Sequence, residues 1–187
     1  MAKMMVKEIL IESAILLGLT NGKQYLEGKV LTETAKQEAE ELLRCFNCVE
    51  NELALDYLPL YAETEVETET GFIDYKVFPN AIVRVLRVRD ESGTAVDFKL
   101  FPNGIKTVNG KVTINYTYAP AQKALTEYSD FVAQASKRLL AYGVAAEYAL
   151  VAGDFESAAV WDKKYKDAVE AAYRSKPSRI LRSRRWA

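Results

Sequence analysis

Histidine is absent from this chain of 187 residues. Its absence removes the commonest general base near neutral pH and the commonest ligand for transition metals. Cysteine is scarce: Cys45 and Cys48 are the only two, too few for a disulfide framework, which agrees with a reducing compartment. No apolar run approaches the roughly 18–20 residues that a membrane-crossing helix needs. The opening "MAKMMVKEILIESAILLGL" carries Lys7, Glu8 and Glu12 through its apolar stretch, unlike a secretory leader. The chain is therefore expected to keep off membranes and to stay in the cytoplasm or leave by lysis. Phosphate-cradling and nucleophile motifs are missing too, with no G-x-G-x-x-G, no G-K-[ST] and no G-x-S-x-G. No catalytic residue, cofactor or metal is expected.

What is present is a sharply divided charge. From Cys45 to Tyr75 there is no Lys or Arg, while Glu50, Glu52, Asp56, Glu63, Glu65, Glu67, Glu69 and Asp74 all fall there. From Arg174 onward there are six bases and no acid; with those six set aside from the 25 in the chain, 19 bases face 26 acids, a body of about −7. Such a body repels nucleic acid rather than wrapping it. With 49% apolar residues the chain has enough for a sizeable core.

The hydrophobic period changes twice. Val6, Ile9, Leu10, Ser13, Leu16 and Leu17 stand at helical spacing, and Gly18, Asn21 and Gly22 supply a stop, which predicts a helix over about 5–18. A second helix over about 33–57 starts at Thr32 or Thr34, the latter in capping-box spacing with Gln37. It carries Ala35, Ala39, Leu42, Phe46, Val49 and Leu53 on one face and stops before Pro59. A period of two then opens an antiparallel β module over about 63–118. In "AIVRVLRVRD" this alternation sets Ile82, Arg84, Leu86 and Val88 on one side and Val83, Val85, Arg87 and Arg89 on the other; "DESG" turns into "AVDFKLF". Asn109-Gly110 has the composition of a type I′ turn and predicts that Ile105–Val108 pairs with Lys111–Tyr118. Helical spacing returns over about 127–152, with Thr126 as cap and Phe131, Ala135, Leu139, Tyr142 and Ala146 in line. A last helix over 154–174 is capped by Asp154, with Phe155, Ala158, Ala159, Tyr165, Val169 and Ala172 inward; these two form a hairpin. The expected fold is α+β: a helical bundle of two N-terminal helices plus the C-terminal hairpin, an inserted β module, and an extended arm. Residues 1–174 form one domain and 175–187 the basic arm.

Three features invite a chemical reading. Cys45-Phe46-Asn47-Cys48 is a C-x-x-C, but zinc wants four ligands and a redox pair wants a helix N-terminus, whereas this pair falls well inside a helix. It is read as packing. Glu63, Glu65, Glu67 and Glu69 line one face of a strand; they suit a divalent cation, or else a solvated edge that resists strand pairing, and the edge is preferred. The tail "SKPSRILRSRRWA" places Arg179, Arg182, Arg184 and Arg185 around Ile180, Leu181 and Trp186, the residue types of a docking peptide, although a nucleic-acid arm looks similar.

Taken in order, "CVENELALDYLPLYAETEV", the β region "VLRVRDESGTAVDFKLFPNGI...NGKVTINYTYAP", the helical hairpin and "SRILRSRRWA" resemble the head-tail connector, or adaptor, proteins of tailed bacteriophages. That resemblance implies a helical core with a β extension, and a ring of twelve copies beneath the portal protein. It implies a virion neck location after assembly in the host cytoplasm, a downstream neck or tail protein as partner, and double-stranded DNA passing through the lumen unread. The arm Arg179, Ile180, Leu181, Arg182, Arg184, Arg185 and Trp186 then docks on the portal, and Glu63 to Glu69 face the channel or a neighbouring copy. The alternative is a small nucleic-acid-binding accessory protein that uses the arm against phosphates; a metal enzyme built on the glutamate row ranks third.

Overall fold

A computed structural model describes residues 3–174 of the chain. Helix α1 (Val6–Leu17) buries Val6, Ile9, Leu10, Ser13 and Ala14, the predicted face, and ends at Gly18, whose φ of 71° lets its N–H reach back to the carbonyls of Ala14 and Ile15. Where a stop was expected at Asn21-Gly22, the chain instead forms a short helix α2 (Thr20–Leu26). Gly22 is what permits it, because its N–H donates to Glu38 Oε2 at 2.7 Å and a Cβ there would press on the Glu38 side chain. Helix α3 (Glu33–Glu52) is capped by Thr32, whose hydroxyl accepts from Ala35 N, so the Thr34–Gln37 alternative does not operate. A π turn, Leu53–Tyr57, carries the helix on to Leu58, which closes the predicted span near Tyr57.

The β region forms two antiparallel sheets. Strands β1 (Leu60–Thr68), β3 (Ala81–Asp90), β4 (Ala95–Val96) and β7 (Gly110–Ala119) make one, in the order β1-β7-β3-β4. Strands β2 (Phe72–Asp74), β5 (Lys99–Phe101) and β6 (Gly104–Lys106) make the other, in the order β2-β6-β5. The predicted hairpin at Asn109-Gly110 does not form. Ile105 pairs with Ile73 and Leu100, while β7 pairs with β1 and β3, so Asn109-Gly110 is the crossing between sheets. Burial explains the choice: Ile105, Ile73 and Ile114 are all sealed in one cluster between the sheets, which a local hairpin would leave unfilled. The "DESG" turn does form, with Asp90 Oδ1 accepting from Thr94 N and Ser92 Oγ.

The expected alternation of β3 is also overturned. Register shifts fall between Ile82 and Arg84 and between Val85 and Arg87, and these two bulges bring Ile82, Val85 and Val88 to the inner side together. Each inserted residue flips the side that follows it, so a strict period of two assigns Val85 to the wrong face.

The chain returns from the sheets through residues 120–136, then forms α4 (Lys137–Val151) and α5 (Phe155–Arg174). The expected start near Thr126 is ten residues early: Ser136 is the cap, accepting from Leu139 N. Asp154 caps α5 as expected through Ser157 N, and α4 and α5 lie against each other. Ala158, Tyr165 and Val169 are buried, whereas Phe155 and Ala159 are exposed, contrary to their predicted inward face. The fold is α+β, with five α-helices and two antiparallel sheets among the described residues. The helices share one core around Leu42, Phe46, Phe131 and Leu140, and the sheets share another around Val88, Ile114 and Tyr116; Tyr118 packs against both.

Helices α3, α4 and α5 meet at Gly143, where an added Cβ would lie 2.5 Å from Val49 Cγ1 and 3.0 Å from the Tyr165 ring. Val49 is β-branched and buried, so it has little room to yield. Gly143→Ala is expected to lower unfolding free energy in urea by about 1–3 kcal/mol, outweighing the ~1 kcal/mol that alanine gains over glycine in a helix.

Candidate functional site

The outer face of the four-stranded sheet carries a regular array of charge. Asn115 of β7 lies directly between Glu63 of β1 and Arg87 of β3, and Thr113 likewise lies between Glu65 and Arg89. Thr117 separates Tyr61 from Arg84. Cross-strand partners share a face, so Glu63, Glu65 and Glu67 form an acidic row and Arg84, Arg87 and Arg89 a basic row, with polar β7 between them. Two strand spacings put the rows roughly 10 Å apart, close to the Debye length at physiological salt. Lys111 bridges toward the acidic side, its Nζ 2.7 Å from Glu65 Oε2, and that contact holds the lysine above its usual range. A shallow hollow of about 450 Å³ opens beside Tyr61, Glu63, Arg87 and Asn115. Strand β1 is the sheet edge along its whole length, and Glu69 lies just past its end, exposed in the following bend.

A second polar constellation ties the return segment to α3. Asn47 donates through Nδ2 to the Lys123 carbonyl and accepts the Lys123 N–H on Oδ1 at 2.7 Å. One turn later Glu50, 1% exposed, accepts on Oε1 from Ser129 Oγ at 2.6 Å and from Asp130 N at 2.9 Å. Lys123 and Asp130 pair at 2.8 Å. Burial pushes the Glu50 carboxyl above its usual range, against the pull of the Ser129 and Asp130 hydrogen bonds, and the Asp130 charge adds to the push. Its Oε2 has no hydrogen-bond partner among the described residues.

A third feature is a groove of about 360 Å³ between α3, α4 and α5. Its floor and walls are apolar, from Val49, Ala146, Leu150, Phe155 and Tyr165, and its rim carries Glu52, Glu147 and Asp162. Burial raises the Glu52 carboxyl first, and the charges of Asp56, Glu147 and Asp162 raise it further.

Of the residues singled out from sequence, Glu63, Glu65 and Glu67 share the outer face of β1. They run along an open strand, and among the described residues no three acidic, cysteine or histidine side chains converge as a metal site requires. Cys45 is buried and Cys48 exposed; burial, chiefly, pushes the Cys45 thiol up to about 12, so it stays protonated and unreactive at neutral pH. Arg179, Ile180, Leu181, Arg182, Arg184, Arg185 and Trp186 lie outside the described residues. Sequence reasoning missed the basic row because two bulges hide its spacing, and it missed Asn47 and Glu50 because polar residues on a helix give no sign of a distant partner. No helix among the described residues is long and apolar enough to cross a membrane. No protein-family model and no curated protein matches the sequence.

The raised Glu50 carboxyl carries a pH signature. The folded state holds that proton more tightly than the unfolded chain does, so the stability of the native protein relative to a Glu50→Gln variant falls as pH rises from the unfolded carboxylate value, about 4.3, through the raised folded one. Gln keeps an acceptor for Ser129 and Asp130, so thermal melts should show the variant gaining on the native chain across that window and holding its lead at neutral pH. Glu50→Ala leaves both donors unpaired and should cost about 1–3 kcal/mol below that window, with the difference from the native chain narrowing as pH rises through it.

Proposed function

We propose that this protein is a structural virion component, a head-tail connector of a tailed bacteriophage that assembles as a ring beneath the portal. The observation that carries the reading is the opposition of charge across one sheet face, Glu63, Glu65 and Glu67 on one strand and Arg84, Arg87 and Arg89 two strands away. A ring is built from contacts between copies, and rows of opposite sign on a single module give each copy both partners of a charge-complementary contact. The order of elements, with a β module between helices that share one core, supports the same reading. The helical bundle and the C-terminal arm, with Ile180, Leu181 and Trp186 as apolar anchors and Arg179, Arg182, Arg184 and Arg185 as charge partners, belong to this proposal. So do twelve copies, a downstream neck or tail protein, and DNA passing through the lumen without specific contact, since an acidic body does not hold phosphates.

The arginine row taken alone would favour nucleic acid. The glutamate row within about one Debye length offsets it, so phosphate binding by this face is disfavoured.

Two measurements test the proposal. In co-sedimentation with the portal, deleting Ser178 to Ala187 should abolish the complex while circular dichroism stays unchanged, and undiminished binding would refute the arm. In assembly on the portal followed by light scattering, Glu63→Arg or Arg87→Glu alone should weaken ring formation roughly tenfold, and the two reversals together should restore it. Steeply salt-dependent DNA binding that vanishes with the tail would instead favour the accessory-protein reading.

A further inference from the structure

The groove between α3, α4 and α5 contains an unmet polar group. Tyr165 lines it, is 4% exposed, and has a hydroxyl with no hydrogen-bond partner among the described residues. An orphaned buried hydroxyl costs on the order of 1–3 kcal/mol, so a donor or acceptor brought into the groove would recover that loss. The same groove exposes apolar surface: Leu150 is 51% and Phe155 70% exposed, on adjoining helix ends. Its rim is acidic, and Lys166, engaged with Asp162 at 2.7 Å, is the base that most directly offsets the charge around Glu52. The groove thus offers apolar pockets, a hydrogen-bonding group and carboxylates to one ligand. A peptide with bulky apolar side chains between arginines fits all three.

This chain has such a peptide. Thirteen residues follow Arg174, and they contain Ile180, Leu181, Trp186 and four arginines with no acid. Along α5 the groove begins at Tyr165, nine residues before Arg174, and runs to Phe155, which is ~14 to ~29 Å back along the helix axis. With the reversal at Pro177, the nine extended residues to Trp186 span up to ~30 Å, whereas Ile180 and Leu181, three and four residues past it, reach only ~10 to ~14 Å. That is enough chain to lay Trp186 and the arginines before it in the groove of the same molecule.

We infer that the C-terminal segment Ser178–Ala187 docks in its own α3–α4–α5 groove, with Trp186 against Leu150 and Phe155 and its arginines against Glu52, Glu147 and Asp162. This rests on reading the tail as an interaction arm, and it gives that arm a parked state in which Trp186 is withheld from solvent until a partner displaces it. The Tyr165 hydroxyl then has a partner from the docked segment.

Fluorine NMR of the full chain labelled with fluorotryptophan tests it, since the chain has two tryptophans. Trp161 is held in a stack with Tyr142 and serves as the internal reference. Trp186 is assigned by Trp186→Phe. The Trp186 resonance should be displaced from its position in the isolated tail peptide and should not change on dilution. Ala159→Arg, at an exposed groove position, should return it to the free position, and Tyr165→Phe, which keeps the ring, should move it part of the way. A Trp186 resonance at the free position in the native chain would overturn the inference. So would a displaced resonance that neither groove variant moves, or one that returns to the free position on dilution, which would assign the groove to a second copy. The measurement needs no portal, so its failure leaves the connector reading standing, and a chain that fails to bind the portal leaves this result unaffected.

Discussion

The strap formed by residues 120–136 is the constraint on which the two cores depend. The chain leaves the helical core at Leu58, builds both sheets, and must re-enter the same core to place α4. It does so without regular structure and largely exposed, and where it dips into the core, around Ser129 and Phe131, its backbone polar groups must find partners. Asn47 and Glu50, one turn apart on α3, supply them from one side, and the N-terminal residues supply them from the other, with Ser129 N donating to the Met4 carbonyl and Val6 N to the Glu127 carbonyl. Phe131, fully buried, is the apolar anchor of the strap. The carboxylate that does this work is itself buried and half-satisfied, so the lock is held by hydrogen-bond geometry and not by net charge.

With the strap fixed, the sheets can specialise by face. The inner sides of β1, β3 and β7 close on the small sheet through Val85, Val88, Ile114 and Tyr116, with the Tyr116 hydroxyl 3.1 Å from Thr64 Oγ1. The outer sides are then free to carry charge. The two bulges in β3 do both jobs: they gather Val85 and Val88 inward and, by the same shifts, bring Arg84, Arg87 and Arg89 to one side. A regular strand with this sequence would put Arg84 and Arg87 on opposite faces and bury one of them at heavy cost. The charged face and the sealed core are therefore consequences of one irregularity.

Much of this was legible in the sequence where a local rule decided the outcome. The faces of α1 and α3, the Asp154 cap, the "DESG" turn and the outward row of Glu63, Glu65 and Glu67 all follow from period and turn chemistry. What was not legible was decided at a distance. Asn109-Gly110 has hairpin composition, yet Ile105 gains more by closing the cluster with Ile73 and Ile114. Residues 127–135 have helical spacing, but Glu50 and Met4 capture the N–H groups that a helix would use. Gly22 looks like a stop and is a contact, because only the far side chain of Glu38 explains it. Phe155 and Ala159 have inward spacing on α5, but there the neighbouring helices part and leave the groove. The basic row of β3, the strap and the groove share this origin: each lies where tertiary packing overrode a local period, and single-residue patterns carry no trace of that.

The missing histidine ties these surfaces together. A protein that switches by pH uses a group that titrates between about pH 5 and 8, and here the groups that face one another are carboxylates, lysines and arginines, whose ordinary values lie outside that range. The attraction that the rows on β1 and β3 and the acidic rim of the groove exert depends on ionic strength and on which opposite charge comes near. Competition between partners for the same charges, governed by affinity and by local concentration, is then the available means of changing what these surfaces hold. Apolar anchors beside the charges give such an exchange its selectivity, since long-range charge brings partners together and only a fitted side chain keeps one in place.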